Sequence, residues 1–154
     1  MSFSEKFIDI SGVNKIGVVA SRFNEPVTSK LQLGALNYLK EMGLPPEKII
    51  SVDVPGAYEI PLAAKAMLEQ GCDAVVAIGA VIRGDTSHFD YVCNSVERGC
   101  TQLQLEYMRP VAFGVITTEN AEQAFDRAGG KKGNKGQEAA EVALEMIQVL
   151  KALK

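Results

Sequence analysis

The chain has 154 residues, 47% of them hydrophobic and 23% charged, which is enough for one compact domain and too apolar for a disordered one. With 16 Lys+Arg against 19 Asp+Glu the net charge is −3, which argues against the broad basic face that nucleic acid or an anionic membrane would require. Three cysteines without a C-x-x-C pair and a single histidine, His88, speak against a zinc site or a disulfide framework, and free thiols suit a reducing compartment.

In chain order, residues 1–10 carry Glu5, Lys6 and Asp9 where a signal peptide would need an uninterrupted apolar core. No run approaches the roughly 20 apolar residues of a membrane span, so the chain reads as mature and cytoplasmic. Residues 3–10 leave two options open, an extra edge strand or an arm that reaches a neighbour. Residues 16–20 form a short apolar run of the buried-strand kind, repeated at 49–54, 74–80 and 111–116. Helical stripes lie between and after them. Val27, Leu31, Tyr38 and Met42 mark the first, and residues 60–70 make a shorter helix with Pro61 in its first turn. Phe89, Val92, Cys93, Val96, Cys100, Leu103 and Tyr107 mark the third. Ala121, Ala124, Phe125 and Ala128 mark the fourth, and Ala139, Val142, Met146, Val149 and Leu153 the fifth. Gly43 with Pro45-Pro46, Gly71, Pro110 and Gly129-Gly130 supply the stops. This alternation predicts one α/β domain over residues 1–154: a flavodoxin-like three-layer α/β/α sandwich with a central four-stranded parallel sheet and right-handed crossovers.

In such a sheet ligands bind beyond the carboxyl ends of the strands. The loops there are Ser21-Arg22-Phe23-Asn24, Pro55-Gly56-Ala57-Tyr58-Glu59, the stretch from Val81 to His88, and Thr117-Thr118-Glu119-Asn120. In the third loop Gly84 lets backbone N–H groups approach a ligand, Asp85, Thr86 and Ser87 are helix starters, and Ser87 with Asp90 forms a capping box. A helix N-terminus also holds phosphate, so these residues either cap the helix or bind an anion. His88 falls in the first helical turn. The helix dipole and a bound phosphate pull its protonation in opposite directions, which suits a proton shuttle; plain capping or packing is the alternative. Phe23 is placed to stack on a flat heterocycle or simply to pack. Glu59 either accepts from sugar-like hydroxyls or sits as a first-turn carboxylate.

Downstream, Arg127, Lys131, Lys132 and Lys135 are spaced by Gly129, Gly130, Gly133 and Gly136. There is no Walker A ending and no G-x-G-x-x-G after the first strand, which removes support for a nucleotide cofactor. Arg127 can clamp a phosphate with its fork and Lys135 can meet an oxyanion or carbonyl, whereas Lys131 and Lys132 read as solvated.

Taken in order and spacing, Arg22-Phe23-Asn24, PGAYEIP at 55–61, GAVIRGDTSHFD at 79–90, Phe113-Gly114-Val115, Arg127-Ala128-Gly129 and Gly133-Asn134-Lys135-Gly136 resemble the 6,7-dimethyl-8-ribityllumazine synthase (riboflavin synthase beta-chain) family. The resemblance runs over about residues 12–153. It implies a transferase that condenses 5-amino-6-(D-ribitylamino)uracil with (3S)-3,4-dihydroxy-2-butanone 4-phosphate, releasing phosphate and water, the penultimate step of riboflavin biosynthesis. No metal and no organic cofactor is implied. By the same resemblance Phe23 stacks on the pyrimidine, Ala57, Tyr58 and Glu59 hold the ribityl chain, and Ala80, Val81 and Ile82 with Phe113 contact the ring largely through backbone. Gly84, Asp85 and Thr86 hold the phosphate together with Arg127, Asp85 through its backbone. His88 shuttles protons, and Lys135 assists at a substrate carbonyl or charge.

The resemblance further implies a homopentamer whose sites are shared, with Phe113, Arg127 and Lys135 facing the Phe23, Glu59 and His88 side of the next subunit. Some relatives stop at pentamers and others build decamers or icosahedral shells; the compact turn at residues 129–136 resembles the shell builders. Association with riboflavin synthase is a further implication. The competing reading is a non-catalytic flavin- or phosphate-binding module or a shell protein, and the presence of His88, Arg127 and Lys135 speaks against it.

Overall fold

The computed structural model describes residues 8–154. Strands β1 (Ile16–Ser21), β2 (Ile49–Val54), β3 (Ala74–Ile82) and β4 (Val111–Thr118) form one parallel sheet in the order β2-β1-β3-β4. Helices α1 (Glu25–Glu41), α2 (Ile60–Glu69), α3 (His88–Tyr107), α4 (Ala121–Asp126) and α5 (Lys135–Ala152) follow the predicted stripes.

Strand alternation sorts the core into two layers. Val18, Ala20, Val76, Ile78, Ala80, Ala112 and Ile116 face Leu31, Ala35 and Leu39 of α1 and Ala139, Ala143 and Leu144 of α5. Their neighbours Val19, Val75, Ala77, Val81, Val111 and Val115 face Ile60, Ala64 and Leu68 of α2 and Val96, Cys100 and Leu103 of α3. Burying a side chain such as Leu31 or Ile78 contributes roughly 1.5–3 kcal/mol, so the helices are held mainly through these contacts. This is the three-layer sandwich that the alternation predicts.

The structure departs from the sequence expectation in several places. β2 is an edge strand rather than a buried one: Ser51, Val52 and Asp53 are exposed, as the polar Ser51 and Asp53 require. β3 and β4 continue to Ile82 and Thr118, paired as Val81↔Thr117 and Ile82↔Thr118, and so carry the sheet further toward the loops. The fourth helix stops at Asp126; Ala128 belongs instead to β5 (Ala128–Gly130), which pairs antiparallel with β6 (Gly133–Asn134). The edge strand considered for residues 3–10 falls mostly on residues 1–7, outside the described residues. Ile8 and Ile10 pack against the α1/α5 layer without extending the sheet. No helix among the described residues is long and apolar enough to cross a membrane.

Candidate active site

The carboxyl ends of β1, β2 and β3 open into a cleft of about 720 Å³. Phe23 and Asn24 line one wall, Ala57, Tyr58 and Glu59 a second, and Thr86, His88 and Phe89 the mouth, with Ala80, Val81 and Ile82 at the back. Local hydrogen bonds seat the first loop against the second: Arg22 N donates to Val54 O at 2.8 Å and Phe23 N to Pro55 O at 3.1 Å. Asn24 turns the chain into α1 in the left-handed conformation, φ 66°, a region that Asn tolerates better than most residues, and its Nδ2 donates to Ala80 O at 2.8 Å. The Phe23 ring is left 72% exposed over the cleft, available to a flat ligand.

Glu59 is half-buried, and its Oε2 accepts from Gly56 N at 3.0 Å. That bond fixes the carboxylate of this first-turn residue at the cleft wall. His88 opens α3 and is exposed at the cleft mouth. The expected Ser87–Asp90 capping box does not form among the described residues. Ser87 has helical dihedrals, and Thr86 Oγ1 accepts from His88 N at 3.3 Å instead. Asp90 is drawn away by Arg83, whose guanidinium also bonds Glu119 at 2.6 Å and lies 4.3 Å from the Phe89 ring centroid. The Glu119 and Asp90 carboxylates raise the Arg83 pKa above its ordinary value. Gly84 and Thr86 line the cleft, whereas Asp85 is exposed and is not among its lining residues.

Phe113, Arg127 and Lys135 are not brought to this cleft. They line a second, shallower groove of about 570 Å³ along the edge strand β4, with Thr117, Glu138 and Val142. The two surfaces share no lining residue. The β5–β6 ribbon joins the two groove cations directly, since Lys135 N donates to Arg127 O at 2.9 Å. Arg127 Nη1 donates to Gln123 O at 2.9 Å and the Lys135 ammonium pairs with Glu138 at 3.0 Å.

Sequence reasoning left Asn24, Phe89, Tyr91 and Val92 out of the site, although all four line the cleft. Tyr91 was detectable: it lies three residues after His88 and therefore shares its helix face. No group of three or more His, Cys, Asp or Glu among the described residues is arranged to hold a metal ion.

A parallel sandwich with a concave, largely apolar cleft and a few convergent polar groups at its carboxyl edge defines a small-molecule site of the doubly wound α/β class. Residues 14–151 match the family model described as 6,7-dimethyl-8-ribityllumazine synthase. The chain is 60% identical over 136 residues to the 6,7-dimethyl-8-ribityllumazine synthase of Bdellovibrio bacteriovorus, covering 88% of this chain and 75% of that protein. It is 49% identical over 132 residues to the protein of the same name from Cytophaga hutchinsonii, covering 85% of this chain and 83% of that one. The chain belongs to the 6,7-dimethyl-8-ribityllumazine synthase family.

Proposed function

We propose that the chain is a transferase of riboflavin biosynthesis that condenses 5-amino-6-(D-ribitylamino)uracil with (3S)-3,4-dihydroxy-2-butanone 4-phosphate to 6,7-dimethyl-8-ribityllumazine, releasing phosphate and water. The observation that carries the reading is the cleft itself, where Phe23, Glu59, Thr86 and His88 converge in a chain of this family. Phe23 stacks on the pyrimidine, while Ala57, Tyr58 and Glu59 receive the ribityl hydroxyls. Ala80, Val81 and Ile82 border the ring. Gly84 and Thr86, at the positive end of α3, receive the phosphate, with the Asp85 backbone beside them. Amine and ketone react readily once held together, so positioning supplies most of the rate. His88 takes and returns protons as the imine forms and phosphate leaves, a smaller factor.

Arg127 and Lys135 complete the phosphate and carbonyl contacts, and Phe113 the ring contact, from the groove of a second copy. That arrangement is supported by the separation of cleft and groove on one chain. The assembly is a homopentamer or a larger shell of pentamers in the cytoplasm, and association with riboflavin synthase belongs to the same proposal. The test mixes purified protein with both substrates and follows fluorescent lumazine above the slow uncatalysed background. Acceleration is expected. Product at the background rate from folded, assembled protein would overturn the reading.

A further inference from the structure

Arg127 and Lys135 flank a ribbon whose strands have three residues and two, too short to hold a register unaided. A charge clamp nevertheless needs its groups placed to within about 0.5 Å. Buried Ala128 and the Lys132 N–H bonded to Asp126 O at 2.8 Å anchor the ribbon's α4 side, and a contact between α1 and the start of α5 anchors the other. Asn134 Nδ2 donates to Lys30 O at 3.0 Å, and Asn134 Oδ1 accepts from Gln137 N at 3.0 Å. The partners fix the amide orientation, because a carbonyl only accepts and an N–H only donates. Lys30 lies inside α1, where its carbonyl already accepts the helical bond from Gly34. The α1 helix therefore does not need Asn134; the bond serves α5.

Two glycines let α1 and α5 come this close. The Asn134 amide lies flat on Gly34, where a Cβ would stand 2.5 Å from Cγ, Oδ1 and Nδ2 together. Two residues on, a Cβ at the buried Gly136 would overlap the Leu31 carbonyl, so the two helix backbones touch there. These contacts flank Lys135, whose N–H in turn holds Arg127 O.

We infer that Asn134, seated on Gly34 beside the close approach of α1 and α5 at Gly136, is a positioning residue that sets where Lys135 and Arg127 point. The inference rests on the proposed assignment of those two cations to the phosphate substrate. Asn134→Asp tests it, because aspartate caps a helix as well as asparagine but turns a carboxylate toward the Lys30 carbonyl. The expected result is a kcat/KM lower by roughly 10- to 100-fold, with a raised KM for the butanone phosphate and an unchanged KM for the pyrimidine.

Gly34→Ala, at a residue outside cleft and groove and favourable to helix propensity, is expected to give the same signature by displacing the amide. In an Asn134→Ala background it should add no further loss. Calorimetric affinity for inorganic phosphate gives a readout without turnover and should weaken at least about fivefold in both variants. Wild-type kinetics and phosphate affinity in Asn134→Asp and Gly34→Ala would leave Asn134 a mere cap and overturn the inference. A wild-type chain that makes no lumazine would overturn the functional reading instead, with phosphate affinity still deciding for or against Asn134.

Discussion

The cleft and the groove are built by different means. The cleft collects residues from three successive strand-to-helix loops, each beginning where a strand of the parallel sheet ends, so the sheet itself places Phe23, Glu59 and His88. The groove runs along edge strand β4 and takes its cations from the residue that ends α4 and the first residue of α5, on either side of a short ribbon. The cleft is concave, and its lining joins aromatic rings and apolar backbone to one histidine. The groove is more open and cationic, with its lysine already paired to Glu138. Under the proposed function the cleft receives the ribityl pyrimidine and one side of the phosphate, and the groove supplies the remaining phosphate, carbonyl and ring contacts.

The largest expected effect falls on the groove. Arg127→Ala should lower kcat/KM for the butanone phosphate on the order of 100-fold, as removal of a forked cation from a phosphate does, while the KM for the pyrimidine stays near its wild-type value. Steady-state kinetics with each substrate varied in turn would check this, and equal damage to both KM values would erase the distinction between the surfaces. His88→Ala should cost at most about 100-fold and leave measurable turnover, because positioning persists without the proton shuttle. Full activity in that variant would remove histidine from the mechanism.

A smaller effect is expected at the cleft wall. Phe23→Ala loses a stacking contact of about 1 kcal/mol and should raise the pyrimidine KM roughly fivefold without touching the phosphate substrate. The smallest change concerns the helix that carries His88 at one end and Cys100 in its core. Burial pushes the Cys100 thiol up to about 12. Its neutral form is favoured in the folded state, so this contribution is intact below the ordinary thiol pKa near 8.5–9 and is lost as pH climbs from there toward 12. Alkylation of Cys100 at pH 8 should therefore be slow and equally slow in all the cleft and groove variants. A faster reaction in one of them would mean that its lost activity reflects loosened packing of α3.

Most of the sandwich was legible because its strands are short apolar runs between amphipathic stripes. The exception was β2, where Ile-Ile-Ser-Val-Asp-Val mixes an apolar run with alternation, and the polar members decide for an edge. The ribbon escaped because glycines carry no alternating pattern to read, and Ala128 continued the preceding helical stripe by chance of spacing. The cap of α3 was misassigned because Ser-x-x-Asp was read locally, while Asp90 is engaged by Arg83 from the end of β3. Asn134 shows the same limit: its residue type signals a helix start, but its second bond, to Lys30 more than 100 positions earlier, exists only in the fold.

The most direct measurement co-assembles two crippled chains, one carrying Phe23→Ala with His88→Ala and the other Arg127→Ala with Lys135→Ala. If a centre forms from the cleft of one copy and the groove of the next, random mixing leaves about a quarter of the centres whole, and lumazine formation should rise toward a quarter of the wild-type rate. Mixed assemblies no more active than the two variants separately would contradict a catalytic centre divided between copies.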